Sequence, residues 1–121
     1  MEIYLDNAAT TKTLPVVNEA MMEVLEQGFG NPSSKHILGV NAEKYIKDAT
    51  NTISKILKCN PKEIVYTSCA TESNNTAIFG SALKRERFGK HLITSQIEHP
   101  SVKEAFLELE NRGFRVTFLP V

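Results

Sequence analysis

Val65-Tyr66-Thr67-Ser68-Cys69-Ala70-Thr71-Glu72-Ser73-Asn74-Asn75 is the stretch from which the fold is read. Together with Ile64, its first residues are β-formers, so a strand is expected over 64–67. Ser68, Cys69 and Ala70 are small enough to let a ligand reach the backbone. Thr71 is a good N-cap, and Glu72 falls in the first turn that follows, beside the positive end of a helix dipole. The first amides of a helix have no intrahelical acceptor, so a small-residue turn feeding them can hold a phosphate. The same residues also make an ordinary strand–turn–helix corner, and the stretch alone leaves both readings open.

Working downstream, Ala77, Ile78, Ala82 and Leu83 continue a helix that ends in the basic, polar run Lys84-Arg85-Glu86-Arg87 and closes at Gly89. That charge run reads as a solvated helix end, favourable beside the negative pole of the dipole. A second strand is expected over 91–95. Gln96-Ile97-Glu98-His99-Pro100-Ser101 turns into another helix, whose buried face carries Val102, Ala105, Phe106 and Leu109 and which stops at Gly113. Over 114–119, Phe114, Val116 and Phe118 alternate with Arg115 and Thr117, the period of a strand with one face inward. The order strand, helix, strand, helix, strand is that of an α/β sheet covered by helices. Ligands gather at strand carboxyl ends in such folds, which is where the 68–71 and 96–100 turns lie.

Upstream, Pro15 opens a helix with Val17, Met21, Val24 and Leu25 at helical spacing, and Gly28 ends it. Gly30-Asn31-Pro32-Ser33-Ser34 is a loop, and His36 just beyond it reads as solvated rather than catalytic. Ala42, Ile46, Ala49, Ile53 and Ile56 or Leu57 mark a helix from near Val40 to near Lys58, with its apolar stripe expected to be core. Ile3-Tyr4-Leu5-Asp6-Asn7-Ala8-Ala9-Thr10-Thr11 starts as a short apolar run and continues in small residues, which suits a backbone segment lying close to something else.

The 121 residues suit one domain. Lys and Arg total 14, as do Asp and Glu, so net charge gives no reason to expect nucleic acid or a membrane surface. No apolar run is long enough to cross a bilayer, and the start of the chain lacks a signal-peptide pattern. Cys59 and Cys69 form no C-x-x-C pair and no zinc-ligand pattern, so no metal is expected and a reducing, cytoplasmic setting fits. Because the last strand is followed at once by Leu119-Pro120-Val121, the expectation is the opening portion of a larger domain with an incomplete sheet.

Four stretches, taken together and in register, resemble the N-terminal part of cysteine desulfurases of the NifS/IscS type, in the class V aminotransferase superfamily. They are Tyr4-Leu5-Asp6-Asn7-Ala8-Ala9-Thr10-Thr11, Gly30-Asn31-Pro32-Ser33-Ser34 with His36, Thr67-Ser68-Cys69-Ala70-Thr71-Glu72-Ser73-Asn74-Asn75, and Ile97-Glu98-His99-Pro100-Ser101-Val102. The resemblance implies a pyridoxal 5′-phosphate (PLP) enzyme of fold type I, like aspartate aminotransferase, that takes sulfur from L-cysteine, releases L-alanine and keeps a persulfide on its own cysteine. It implies that Ala70 and Thr71 bind the PLP phosphate. It also implies that His99 stacks on the pyridine ring and moves protons, and that Asn7 and Ala8 approach the substrate side. Residues 1–14 would be an arm packing with the small domain of the full enzyme, and 15–121 the first part of the large PLP-binding domain. Implied partners are a second copy in a homodimer and an iron–sulfur scaffold or other sulfur acceptor, for cluster assembly or tRNA thiolation.

The sequence departs from the family in two ways. Cys69 stands where the family usually has glycine, and its Cβ excludes conformations that only glycine tolerates. The Ser-x-His-Lys motif that supplies the family's Schiff-base lysine is not in these residues, nor is the sulfur-accepting cysteine, so the chain alone is expected to be inactive. The alternatives are a complete short, non-catalytic remnant or partner of a desulfurase, and a portion of a selenocysteine lyase or another class V aminotransferase.

Overall fold

The computed structural model describes residues 3–121; Met1 and Glu2, the start of the expected arm 1–14, lie outside the described residues. The chain divides into two compact units, one ending at Ile64 and the other running Val65–Val121.

In the first unit, residues 3–14 carry a turn rather than a helix or strand. The amides of Ala9 and Thr10 donate to the Asp6 carbonyl, at 3.1 and 3.4 Å. The Tyr4 hydroxyl pairs with that of Thr10 at 2.7 Å. Helix α1, Pro15–Gln27, starts on its proline and closes at Gly28, as the sequence predicts. Helix α2, Ile37–Leu57, begins earlier than expected because His36 caps it: the His36 Nδ1 accepts from the Gly39 amide at 3.4 Å. A Cβ on Gly39 would meet the carbonyl oxygens of Ser34 and Asn31, so only glycine lets the 30–34 loop lie against the first turn of α2. Lys58 ends α2 in the left-handed region, and a 3₁₀ turn, Pro61–Glu63, follows under a capping box between Asn60 and Glu63.

The expectation that the α2 stripe is core is corrected within this unit. Ala42 is buried, but Ile46, Ile53, Ile56 and Leu57 are exposed. An apolar stripe becomes core only where another face covers it, and α1 meets α2 at Tyr45, whose hydroxyl donates to Glu23 at 2.9 Å.

The second unit holds the sheet. Helix α3, Ala70–Arg85, leads through a 3₁₀ turn to strand β1, His91–Ser95; helix α4, Pro100–Asn111, then connects it to strand β2, Arg115–Leu119. The strands pair in parallel, with His91 opposite Arg115 and Ser95 opposite Leu119. This is a β–α–β crossover, which parallel neighbours require. The core is Ala82 from α3, Leu109 from α4 and Phe114 at the mouth of β2, with Ile78, Phe79 and Leu92 packed on it. Leu109 is wholly buried.

Two expectations fail at the start of this unit. Residues 64–67 form no strand: β1 and β2 are the two strands of the sheet, and Val65 and Tyr66 are exposed. Propensity alone does not make a strand where no neighbouring ladder fixes it. Nor is Thr71 the N-cap of α3. That place belongs to Cys69, two residues earlier, so Thr71 is the second residue of the helix.

Candidate functional site

The turn into α3 is held by side chains folding back on it. Ser68 donates both its backbone amide and its hydroxyl to Glu72 Oε2, each at 2.7 Å. Glu72 is the third residue of α3, and its carboxylate reaches back past the cap to Ser68, while the Cys69 side chain makes no cap bond. The Ser68 amide and hydroxyl hold the Glu72 carboxyl below its ordinary range. Thr67, half-buried, donates to the Cys69 carbonyl at 3.1 Å and its hydroxyl meets that of Ser73 at 2.6 Å.

Cys69 has φ −165° and ψ 170°, extended backbone open to any residue. The departure from glycine therefore costs no backbone strain here. Its thiol is exposed and lowered from the ordinary thiol range, chiefly by the Glu72 amide. The first amides of α3 thus favour negative charge at this turn, as a helix start does.

At the carboxyl end of β1 the chain turns through Ser95, whose hydroxyl donates to Glu98 at 2.9 Å. His99 then caps α4: its Nδ1 accepts from the Ser101 amide at 3.1 Å. The same nitrogen lies 2.9 Å from the Ser101 hydroxyl oxygen, which accepts from Asn74 Nδ2 of α3 at 2.9 Å.

Helices α3 and α4 frame an open cleft of about 440 Å³. Thr71, Asn75 and Phe79, spaced by four, line it from α3; His99 and Ser101 line it from the start of α4, and Glu104 and Glu108 place carboxylates farther along α4, at the end away from the helix starts. Ala70, the first residue of α3, is exposed beside Thr71. The structure therefore brings Thr71 and His99 to one cleft, with Ala70 next to them. Asn7 and Ala8 lie in the turn of the first unit, where Asn7 Nδ2 donates to the Tyr4 carbonyl at 3.3 Å.

A cofactor with a phosphate and a flat ring fits this donor set. The helix start and the Thr71 hydroxyl supply anion donors, and the only carboxylate in the first turn is turned back onto Ser68. His99 supplies a flat face in the same cleft. The supporting side chains Asn74 and Ser101 were not singled out for a role by sequence reading, whereas Glu72 was expected in the first turn and its bonds to Ser68 were not. Among the described residues no group of three or more His, Cys, Asp or Glu side chains gathers as a metal site, and no helix is long and apolar enough to cross a membrane.

A NifS/IcsS protein homolog of Lactobacillus delbrueckii subsp. bulgaricus is 50% identical over 119 residues, covering 98% of this chain and 31% of that protein. A cysteine desulfurase IscS of Dictyoglomus turgidum is 47% identical, covering 99% of this chain and 30% of that protein. Among solved structures, a NifS-like protein superposes with a TM-score of 0.90 at 38% identity, over all of this chain and 33% of that one. DndA from Streptomyces lividans superposes at 0.78 with 40% identity, over 97% of this chain and 33% of that one. The chain thus spans about 30% of the length of the curated relatives it matches. The aminotransferase class-V family matches residues 3–121, and the chain belongs to that family.

Proposed function

We propose that this chain is the N-terminal portion of a PLP-dependent cysteine desulfurase, which converts L-cysteine to L-alanine and passes the sulfur on as a protein persulfide. The observation that carries the reading is the single cleft holding Thr71 and His99 beside the start of α3. The named relatives support cysteine desulfurase over selenocysteine lyase or another class V aminotransferase. A solved relative at 45% identity is titled SspA in complex with cysteine, which supports the same substrate here.

When bound, PLP supplies an electron sink for bond cleavage beside the substrate nitrogen. Ala70 and Thr71 hold its phosphate through the helix start and the Thr71 hydroxyl. His99 would supply a flat face to the ring and would hold or move a proton near the substrate. Asn7 and Ala8 serve the substrate side. Residues 1–14 pack with a small domain of the whole protein, and residues 15–121 begin its large PLP-binding domain. The whole protein works as a cytoplasmic homodimer that delivers sulfur to an iron–sulfur scaffold or to tRNA thiolation. Residues 1–121 carry no Ser-x-His-Lys motif, so this portion alone does not turn over.

The test is to incubate the whole protein carrying this chain with PLP and L-cysteine. Equal amounts of alanine and released sulfide, in the presence of a thiol reductant, are expected. Absence of both would overturn the reading.

A further inference from the structure

His99 carries two ring nitrogens, and the structure treats them differently. Nδ1 lies 3.1 Å from the Ser101 amide, a donor that cannot reverse its role. Nδ1 therefore bears a lone pair. Its second neighbour, at 2.9 Å, is the Ser101 hydroxyl, which has one proton to give. Asn74, reaching over from α3, donates Nδ2 to that hydroxyl oxygen at 2.9 Å. With its oxygen already accepting from Asn74, the hydroxyl turns its proton to Nδ1. A ring nitrogen that accepts two hydrogen bonds cannot hold the proton of a neutral imidazole, so that proton sits on Nε2.

We propose that Ser101 and Asn74 are positioning residues that lock His99 in its Nε2–H form, with Nδ1 turned to the protein and Nε2–H presented in the cleft. This rests on the reading of the cleft as a cofactor site only for its use, since the lock itself lies within this chain. Three of the groups involved come from two elements: His99 and Ser101 from the start of α4, and Asn74 from the first turns of α3. The lock therefore also ties the His99 end of the cleft to the helix that carries Thr71. The consequence for chemistry is that neutral His99 offers a hydrogen-bond donor, not an acceptor, to whatever lies beside Nε2.

The test is nitrogen-15 NMR of the histidine rings in the whole protein without cofactor, at alkaline pH where imidazoles are neutral. His99→Gln assigns the His99 signals against those of His36, His91 and the other histidines of the whole protein. In the unaltered protein, His99 Nδ1 is expected at the position of an unprotonated nitrogen and Nε2 at that of a protonated one. Ser101→Ala removes the hydroxyl donor. Asn74→Asp supplies a carboxylate that takes the hydroxyl proton for itself. Each is expected to lower the ratio of Nε2–H to Nδ1–H by about two- to tenfold, the worth of one hydrogen bond. Ser101→Thr keeps the hydroxyl and should retain the unaltered ratio, which separates the lock from a general loosening of α4.

A proton found on Nδ1 in the unaltered protein would overturn the proposal. So would Ser101→Ala at the unaltered ratio, or Ser101→Thr behaving like Ser101→Ala. These outcomes are independent of the cofactor reading, because no cofactor is present. That reading falls instead if His99→Ala retains PLP as well as the unaltered protein does, a result that leaves the tautomer measurement standing.

Discussion

Thr71 and Cys69 sit two residues apart but have different tasks. Thr71 is the second residue of α3 and lines the cleft; Cys69 is the cap, with its thiol beside the first amides of the helix. A hydrogen bond to a charged phosphate is worth about 1.5–3 kcal/mol, so Thr71→Val should weaken PLP binding roughly 10- to 100-fold. Thr71→Ser should keep most of it, and an absorbance titration of the whole protein reads both. The lowered Cys69 thiol makes a second prediction. If phosphate takes the same amides, PLP should slow alkylation of Cys69 several-fold relative to half-buried Cys59, as peptide mapping would show. Glu72 gives a third. Its carboxyl is held below the ordinary value of 4.5 by the Ser68 amide, so the turn gains stability above that pH and loses it as pH falls through the folded value. The Ser68 amide resonance should titrate with that lower midpoint, and in Glu72→Gln the titration should vanish.

The elements show where local sequence decides structure and where it does not. Helix α1 begins at Pro15 and ends before Gly28 because both signals act within one turn of the chain. Strand β2 alternates as its residues do, with Phe114 buried just before it and Val116 and Phe118 half-buried along it. The 64–67 segment has the same kind of residues and no ladder, because a strand is completed by its neighbour, which the local sequence does not contain. The cap of α3 was legible in one respect and misread in another. Thr71 has the better side chain, but Glu72 reaching back to Ser68 places the helix start at 69. For His99 and Thr71, sharing a cleft depends on α3 packing beside α4, a tertiary fact that no single motif states. That packing rests on Leu109, which is wholly buried against Ala82 and Phe114. Leu109→Ala should lower the unfolding free energy by about 2–5 kcal/mol. Ile97→Ala, at a residue 76% exposed, should change it little. Urea unfolding of the two variants checks the contrast.

At the scale of the molecule, each unit keeps apolar side chains at its surface. In the first, Met21, Ile56 and Leu57 are exposed, and in the second Val65 and Ile97. Relatives more than three times as long supply ample chain to cover such faces, in line with the proposed large domain. The same proportion explains why sequence motifs reached further than patterning did. Under the proposed function the motifs serve chemistry shared with the rest of a longer protein, whereas burial within 121 residues reports only what this stretch packs against itself. The central claim is that the Thr71–His99 cleft is the PLP site. It is tested most directly by loading the whole protein, its Thr71→Val, His99→Ala double variant and the unaltered form with PLP, removing free cofactor by gel filtration, and measuring what each retains. The account predicts about one PLP per chain on the unaltered protein and a large loss from the double variant; equal retention by both would contradict it.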